Sequence, residues 1–386
     1  MNYSRTIMSL SPSATLQLTA KAKELKKSGR DIISLSAGQP DFPTPLPIAD
    51  AAITAIRDGK TGYTASTGIP ELREAIAKRY SRRRKIEWKP ENVVVSNGAK
   101  HGLVNLIRSA INPGDRVLLP RPYWVSYPEM VKASGGVPVF PEESINPREI
   151  LRAADQGVVG LLLNYPSNPS GYIPSKDEMK DLADAIAETD MWIISDDIYE
   201  DLVYINGETP HILDFRPELT ERTAVVSGVS KTYAMTGWRI GYSLTNARWA
   251  KLSGVLQAHS TSNPCSISQW AALAAVEGKA EKEKKEMHNS FRRRRDLICS
   301  LLSEENDLQF DIPDGAFYMF PRLIANTEHN SELFCDELLE REGLAVIPGS
   351  AFGAEGYIRL SFAASDEDIR EGVTRLRRFL HGRYST

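Results

Sequence analysis

The chain has 386 residues, 41% of them apolar and 25% charged, with a mean hydropathy of −0.32. A net charge of −3 and an isoelectric point near 6.2 leave no global basic field for nucleic acid or an anionic membrane. Three cysteines, Cys265, Cys299 and Cys335, with no Cys-x-x-Cys pair, argue against a disulfide framework or a zinc site and fit a reducing compartment.

Read from the N-terminus, Met1 to Thr6 shows neither an apolar core nor a cleavage pattern. The longest apolar runs, such as Val158 to Leu163, fall far short of a membrane span, so a soluble, cytoplasmic protein is expected. The basic runs Arg82 to Lys85 and Arg292 to Arg295 read as solvated helix faces. Strands are predicted at Val93–Val95, Arg116–Leu119, Val137–Phe140, Val158–Leu163, Met191–Ile194, Ala224–Val226 and Ile240–Leu244. Amphipathic stretches lie between several of them, for example Lys176 to Glu188 after Pro174-Ser175. Strand, helix, strand in that rhythm predicts a parallel sheet covered on both faces. From about Ala280 to Glu304 a long charged helix is predicted, followed by short strands at Ala316–Phe320, Leu344–Ile347 and Tyr357–Phe362. This tail reads as a second, smaller α+β domain, joined by the residues before about Pro45.

Polar residues follow four of the strands. They are Ser96-Asn97-Gly98-Ala99-Lys100, the run Asn164 to Gly171, Ser195-Asp196-Asp197-Ile198-Tyr199, and Ser227 to Lys231. In an open parallel sheet, ligands bind outside the carboxyl ends of the strands, so these groups are expected at one edge. Each suits a part of one ligand. The turn Asn97-Gly98-Ala99 opening a helix offers backbone N–H groups to an anion, and Arg239 adds a planar cation. Asp196, buried at a strand end, calls for a cationic partner such as a protonated pyridine nitrogen. Asn168 and Tyr199 suit a phenolate oxygen, and Trp124 suits stacking on an aromatic ring. Lys231, leaving a buried strand, suits imine chemistry with an aldehyde, although alone it reads more readily as a surface lysine. Together these parts describe pyridoxal 5'-phosphate.

Gly38-Gln39-Pro40-Asp41-Phe42, Tyr63 with Gly68 to Arg73, Pro122-Tyr123-Trp124, and Asn164 to Gly171 carry a resemblance to a known family. Ser195-Asp196 through Tyr199, Ser230-Lys231 through Tyr242, Gly315 to Tyr318 and Arg359-Leu360-Ser361 extend it nearly end to end. The chain resembles the class I aminotransferases of fold type I, most closely their bacterial aspartate aminotransferase branch. The resemblance implies an α/β fold with a mainly parallel, doubly wound sheet in a large domain, residues 46–285. Residues 1–45 and 286–386 would form the small domain. It implies that Lys231 is the Schiff-base lysine and proton shuttle, with Asp196 on the pyridinium nitrogen and Asn168 and Tyr199 on the phenolate oxygen. Gly98, Ala99, Lys100 and Arg239 would hold the phosphate, helped by Tyr63 from a neighbouring subunit of a homodimer, and Trp124 would stack on the ring. Ser227 and Ser230 join the cofactor-binding set, while Arg359, Gly38, Trp124 and Asn168 would meet the substrate.

Three positions depart from the family pattern: Ser227 stands where relatives often have Asn, Asp196-Asp197 replaces Asp-Glu, and Asn168-Pro169-Ser170-Gly171 replaces Asn-Pro-Thr-Gly. Close relatives that prefer dicarboxylates tend to have a basic residue where Ser11 precedes Pro12-Ser13, and Arg108 is the alternative partner for a side-chain carboxylate. The alternation in Tyr357 to Phe362 turns Arg359 away from the packed side of its strand. The expected reaction is amino transfer between an L-amino acid, with aspartate leading, and a 2-oxo acid such as 2-oxoglutarate. Alanine, aromatic or other donors, a lyase on the same cofactor, a regulatory protein that keeps the cofactor, and a plain α/β binding protein are the alternatives.

Overall fold

The computed structural model describes residues 1–141, 146–324 and 330–383. Seven strands form one sheet: β1 (Val93–Ser96), β2 (Arg116–Leu118), β3 (Val137–Val139), β4 (Val158–Asn164), β5 (Trp192–Asp196), β6 (Thr223–Gly228) and β7 (Gly241–Leu244). Each predicted strand is present, with ends shifted by one or two residues, the usual error of boundaries read from pattern alone. The spatial order is β1-β7-β6-β5-β4-β2-β3. All neighbours pair in parallel except β7, which runs antiparallel to both β1 and β6. That reversal brings the turn before β7, with Arg239, to the edge where the other strands end.

Both faces are covered, which is why the strands read as apolar runs rather than alternations. Ile193 and Val225 pack with the helices Pro70–Arg84, Lys176–Ala187 and Ser266–Val276 on one face. Ile194 and Val226 pack with the helices Ala99–Ala110 and Ser126–Ala133 on the other. Local chemistry sets the helix starts. Ser175 and Glu178 form a reciprocal capping box for Lys176–Ala187, and Pro70 occupies the first turn of its helix, where a missing N–H costs nothing.

A separate apolar cluster is built from the helices Glu281–Leu302, Ser331–Glu342 and Asp366–Arg383 around β8 (Tyr318–Met319), β9 (Ile347–Pro348) and β10 (Ile358–Ser361). Strands β8 and β9 flank β10, both antiparallel to it. The pair Ile33–Ser34 joins this cluster through a parallel pairing with Leu344–Ala345.

The basic runs correct the sequence reading in part: Arg82, Lys85, Arg292 and Arg293 are exposed as expected, but others are not. Arg83 and Arg84 are not solvated: their side chains are 11% and 2% exposed. Arg83 donates to Asp201 Oδ1 at 3.1 Å, and Arg79 also pairs with Asp201. Arg84 faces Asp197 at 3.5 Å and donates to Asp214 at 3.2 Å. Arg294, in the second run, grips both oxygens of Asp41 at 2.7 and 2.9 Å. Long-range carboxylates bury these cations, and no local pattern announces a partner more than 100 residues away.

Candidate active site

Strand alternation decides which groups meet. Side chains along β5 and β6 point to opposite faces in turn. Asp196 shares the face of Ile194, whereas Ser195 shares that of Ile193. On the Asp196 side a cavity of about 750 Å³ opens at the carboxyl edge of the sheet, reaching across to β10 and the N-terminal helix Ala14–Lys27. Of the predicted site residues, Gly38, Ala99, Lys100, Trp124, Asn168, Asp196, Tyr199, Ser230, Lys231, Arg239 and Arg359 line it. Four strand ends and the separate three-stranded sheet that carries Arg359 therefore deliver one constellation.

Lys231 Nζ donates to Gly38 O at 2.6 Å. Burial, then the nearby positive charges of Arg359 and Arg239, pull its amine down from 10.5 to about 8. Asp196 is 3% exposed. Its carboxylate accepts from Tyr127 OH at 2.7 Å and from the Ile198 N–H at 3.3 Å. Burial still wins over these bonds, raising its pKa from 3.8 to about 6. Asn164 braces the strand ends, donating to Asp196 O at 2.8 Å and accepting the Asn168 N–H at 2.9 Å.

At the other end, Gly98 precedes the helix Ala99–Ala110 with φ +84°, a conformation that suits glycine. A Cβ there would lie 2.4 Å from Arg239 Nη2, so the missing side chain lets the guanidinium close on the helix start. Arg239 itself is left-handed, φ +55°, and is held by Thr236 O at 2.9 Å and Asn97 O at 3.4 Å. Lys100 donates to Ser126 Oγ at 3.1 Å and sits 4.6 Å from the Trp124 ring centroid. The first amides of the helix, its dipole and two cations converge on one spot.

Arg359, although turned from the packed side of its strand by the alternation, is only 1% exposed. Its strand is covered on both faces, so the alternation marks two buried environments rather than inside and outside. It donates to Asn168 Oδ1 at 2.9 Å and Ser36 O at 3.0 Å, with Tyr318 and Phe352 rings 4.4 and 5.0 Å away. Among the described residues no carboxylate pairs with it. A fully buried guanidinium without an anion is costly, and its pKa falls because of that burial.

Besides Gly98, three of the residues named from sequence do not line the cavity of their own chain. Ser227 does not line the cavity: it follows Val226 on the opposite face and donates to Glu200 Oε1 at 3.0 Å and Asp197 O at 3.3 Å. Tyr63 is 94% exposed and outside the cavity of its own chain. Arg108 is exposed on the helix Ala99–Ala110 and does not reach the cavity either, so it is no carboxylate partner within the chain. Sequence reasoning also missed Tyr127 and Tyr318. Tyr127 follows Trp124 by three residues, one helical turn on, and Tyr318 ends the Gly315 to Tyr318 motif, where its OH lies 2.8 Å from Tyr199 OH. Both were within sight of recognised motifs, and the helix spacing pointed to the first.

Known proteins match the chain over nearly its whole length. A family model described as aminotransferase class I and II matches residues 30–376. The chain is 40% identical to an aspartate aminotransferase of Bacillus subtilis, over 98% of this chain and 99% of that one. It is 41% identical to a probable aspartate/prephenate aminotransferase of Aquifex aeolicus, covering 96% of each. Its fold superposes on the aspartate aminotransferase of Thermus thermophilus with maleate at a TM-score of 0.93, with 37% identity over 98% of this chain and 100% of that one. The chain belongs to the class I and II aminotransferases, enzymes that depend on pyridoxal 5'-phosphate.

Proposed function

We propose that this aminotransferase moves the amino group of a dicarboxylic L-amino acid, aspartate first, to a 2-oxo acid such as 2-oxoglutarate. One observation carries the reading: a lysine amine held near pKa 8 shares its cavity with a buried arginine that no carboxylate among the described residues pairs with. The residues fit the family's cofactor. Asp196 is a buried carboxylate with no cationic side chain bonded to it among the described residues, which suits a pyridinium nitrogen. The helix start at Ala99, with Gly98, Lys100 and Arg239, suits a phosphate. Asn168 spends its Oδ1 on Arg359, leaving its amide N–H to join Tyr199 at a phenolate oxygen. Trp124 borders the space for a ring, and Ser230 lies beside the phosphate spot.

Bound there, pyridoxal phosphate supplies an electron sink that lets an amino acid release its α-proton. Lys231 would hold it covalently between turnovers and, once displaced, carry a proton to and from the substrate α-carbon. Asp196 would keep the ring nitrogen protonated. Arg359, with Gly38, Trp124 and Asn168 around it, would fix the substrate α-carboxylate and so the orientation of the α-proton.

Support for a dicarboxylate comes from the names of the Bacillus and Aquifex relatives and from the maleate of the Thermus structure. The test is a panel of amino donors, with aspartate, alanine, aromatic and branched amino acids, against 2-oxoglutarate, plus prephenate as acceptor. Aspartate should give the highest kcat/KM, and a preference for a neutral donor would overturn the assignment.

A homodimer is part of the proposal. Leu46, Ile53 and Ile56 on one helix, Leu252 and Val255 on another, and Tyr63 are 44 to 94% exposed. Isolated apolar side chains need no explanation, but helix-spaced ones beside a residue awaited at a neighbour's site suit a subunit interface. A cytoplasmic location is supported by three unpaired cysteines. No described helix is long and apolar enough to cross a membrane. The division into 46–285 and 1–45 with 286–386 is proposed from the separate apolar clusters.

A further inference from the structure

Asp197 stands next to Asp196 in sequence but on the reverse face of the sheet, turned away from the cofactor cavity. Its Oδ1 accepts the Ser195 hydroxyl at 2.6 Å. Its Oδ2 makes no hydrogen bond, with Arg84 Nη2 at 3.5 Å and His211 Nε2 at 3.7 Å. His211 is 4% exposed, and its Nδ1 accepts the Leu213 N–H at 3.1 Å. In the neutral ring the proton is therefore on Nε2. Burial, then the guanidiniums of Arg84 and Arg83, hold its pKa well below the ordinary range, so the ring is neutral. Among the described residues the Nε2–H is then a buried donor without an acceptor, and Thr209 Oγ1, in a residue 3% exposed, is likewise without a partner.

These three residues line one small cavity of about 10 Å³, closed by Ser195, Pro210 and Ile212 among others. A buried polar atom left unbonded forfeits its hydration with nothing in return, so such atoms are rare in folded proteins. Three of them around one void the size of a single probe sphere describe a water site, since a void of roughly 10–15 Å³ with two to four polar partners is what one water needs.

We propose that this cavity binds one ordered water molecule, held by His211 Nε2, Thr209 Oγ1 and Asp197 Oδ2. The hydrogen-bond directions close: the water accepts from His211 Nε2–H and from the Thr209 hydroxyl, and donates to Asp197. A metal cation is excluded by the same geometry, because the imidazole presents a proton to the centre and Arg84 stands beside it. The water joins the segment 209–211 to the residue after Asp196, bracing from behind the strand end whose front faces the cofactor cavity. Asp197, one methylene shorter than Glu, leaves the room for it.

A crystal structure of the holoenzyme that resolves internal waters tests this. A peak about 2.6–3.2 Å from all three atoms is expected. An empty cavity, or a direct hydrogen bond from His211 Nε2 to Asp197 that closes it, overturns the proposal. Asp197→Glu should extend the carboxylate into the void, with loss of the peak and a direct bond to His211; a peak that persists in that variant also overturns it. Should the variant fail to fold, wild-type holoenzyme still decides: the His211 Nε2 proton must show a magnetisation-transfer cross-peak to water in NMR, and its absence refutes the site.

Discussion

Lys231 shows how little a single residue says until its surroundings are known. Its amine is perturbed by burial, by Arg359 on β10, far away in sequence, and by Arg239 in the turn before β7. Because only the neutral amine attacks an aldehyde, covalent uptake of pyridoxal phosphate by the apoprotein should accelerate with pH and level off above about 8. The sign follows from the lowered pKa: below it the amine is protonated and inert. Stopped-flow absorbance of the cofactor would measure this, and a midpoint near the ordinary lysine value of 10.5 would deny the role of burial. Lys231, Asp196, Tyr199, Asn168 and Arg239 were legible because each follows or precedes a recognisable strand. Ser227 was not, since one step along β6 turns a side chain to the other face.

Among the elements, β5 and its continuation gather most of the chemistry, and the helix Pro70–Arg84 holds them. Arg84→Ala would leave Asp197 buried without its nearest cation, at a cost of about 3–5 kcal/mol. Chemical denaturation should show that loss, with a smaller effect on kcat because Arg84 does not line the cofactor cavity. At the start of the helix Ala99–Ala110, Gly98→Ala would place a methyl 2.4 Å from Arg239 Nη2 at a positive φ. The guanidinium must move, so cofactor affinity should fall at least roughly tenfold, about 1.4 kcal/mol. Absorbance titration of the apoprotein would report it, and an unchanged Kd would remove Arg239 from the phosphate site. The strands and helices themselves were readable from apolar runs, capping residues and prolines. The burial of Arg83 and Arg84 was not, because their carboxylates lie beyond the reach of helical periodicity.

At the scale of the molecule, the exposed apolar helix faces and Tyr63 predict a particle of twice 42.9 kDa in sedimentation velocity. If Tyr63 serves a neighbour's site, Tyr63→Phe should weaken cofactor binding in the homodimer. Mixing those subunits with Lys231→Ala subunits should restore one tight, active site per heterodimer, because the intact tyrosine then meets the intact lysine. No gain on mixing would place Tyr63 outside the partner's site. Local pattern was enough for the α/β class, the strand positions, the carboxyl edge where ligands gather and the cofactor those groups describe. It could do so because strand ends, helix starts and turn residues are local signals. Packing across the fold is what buries Arg359 with no carboxylate partner among the described residues, sets Tyr127 on Asp196, and turns Arg108 and Ser227 elsewhere. Those outcomes depend on which faces meet and what lies across the cavity, and pairings between residues 69 to 323 positions apart leave no mark on local pattern.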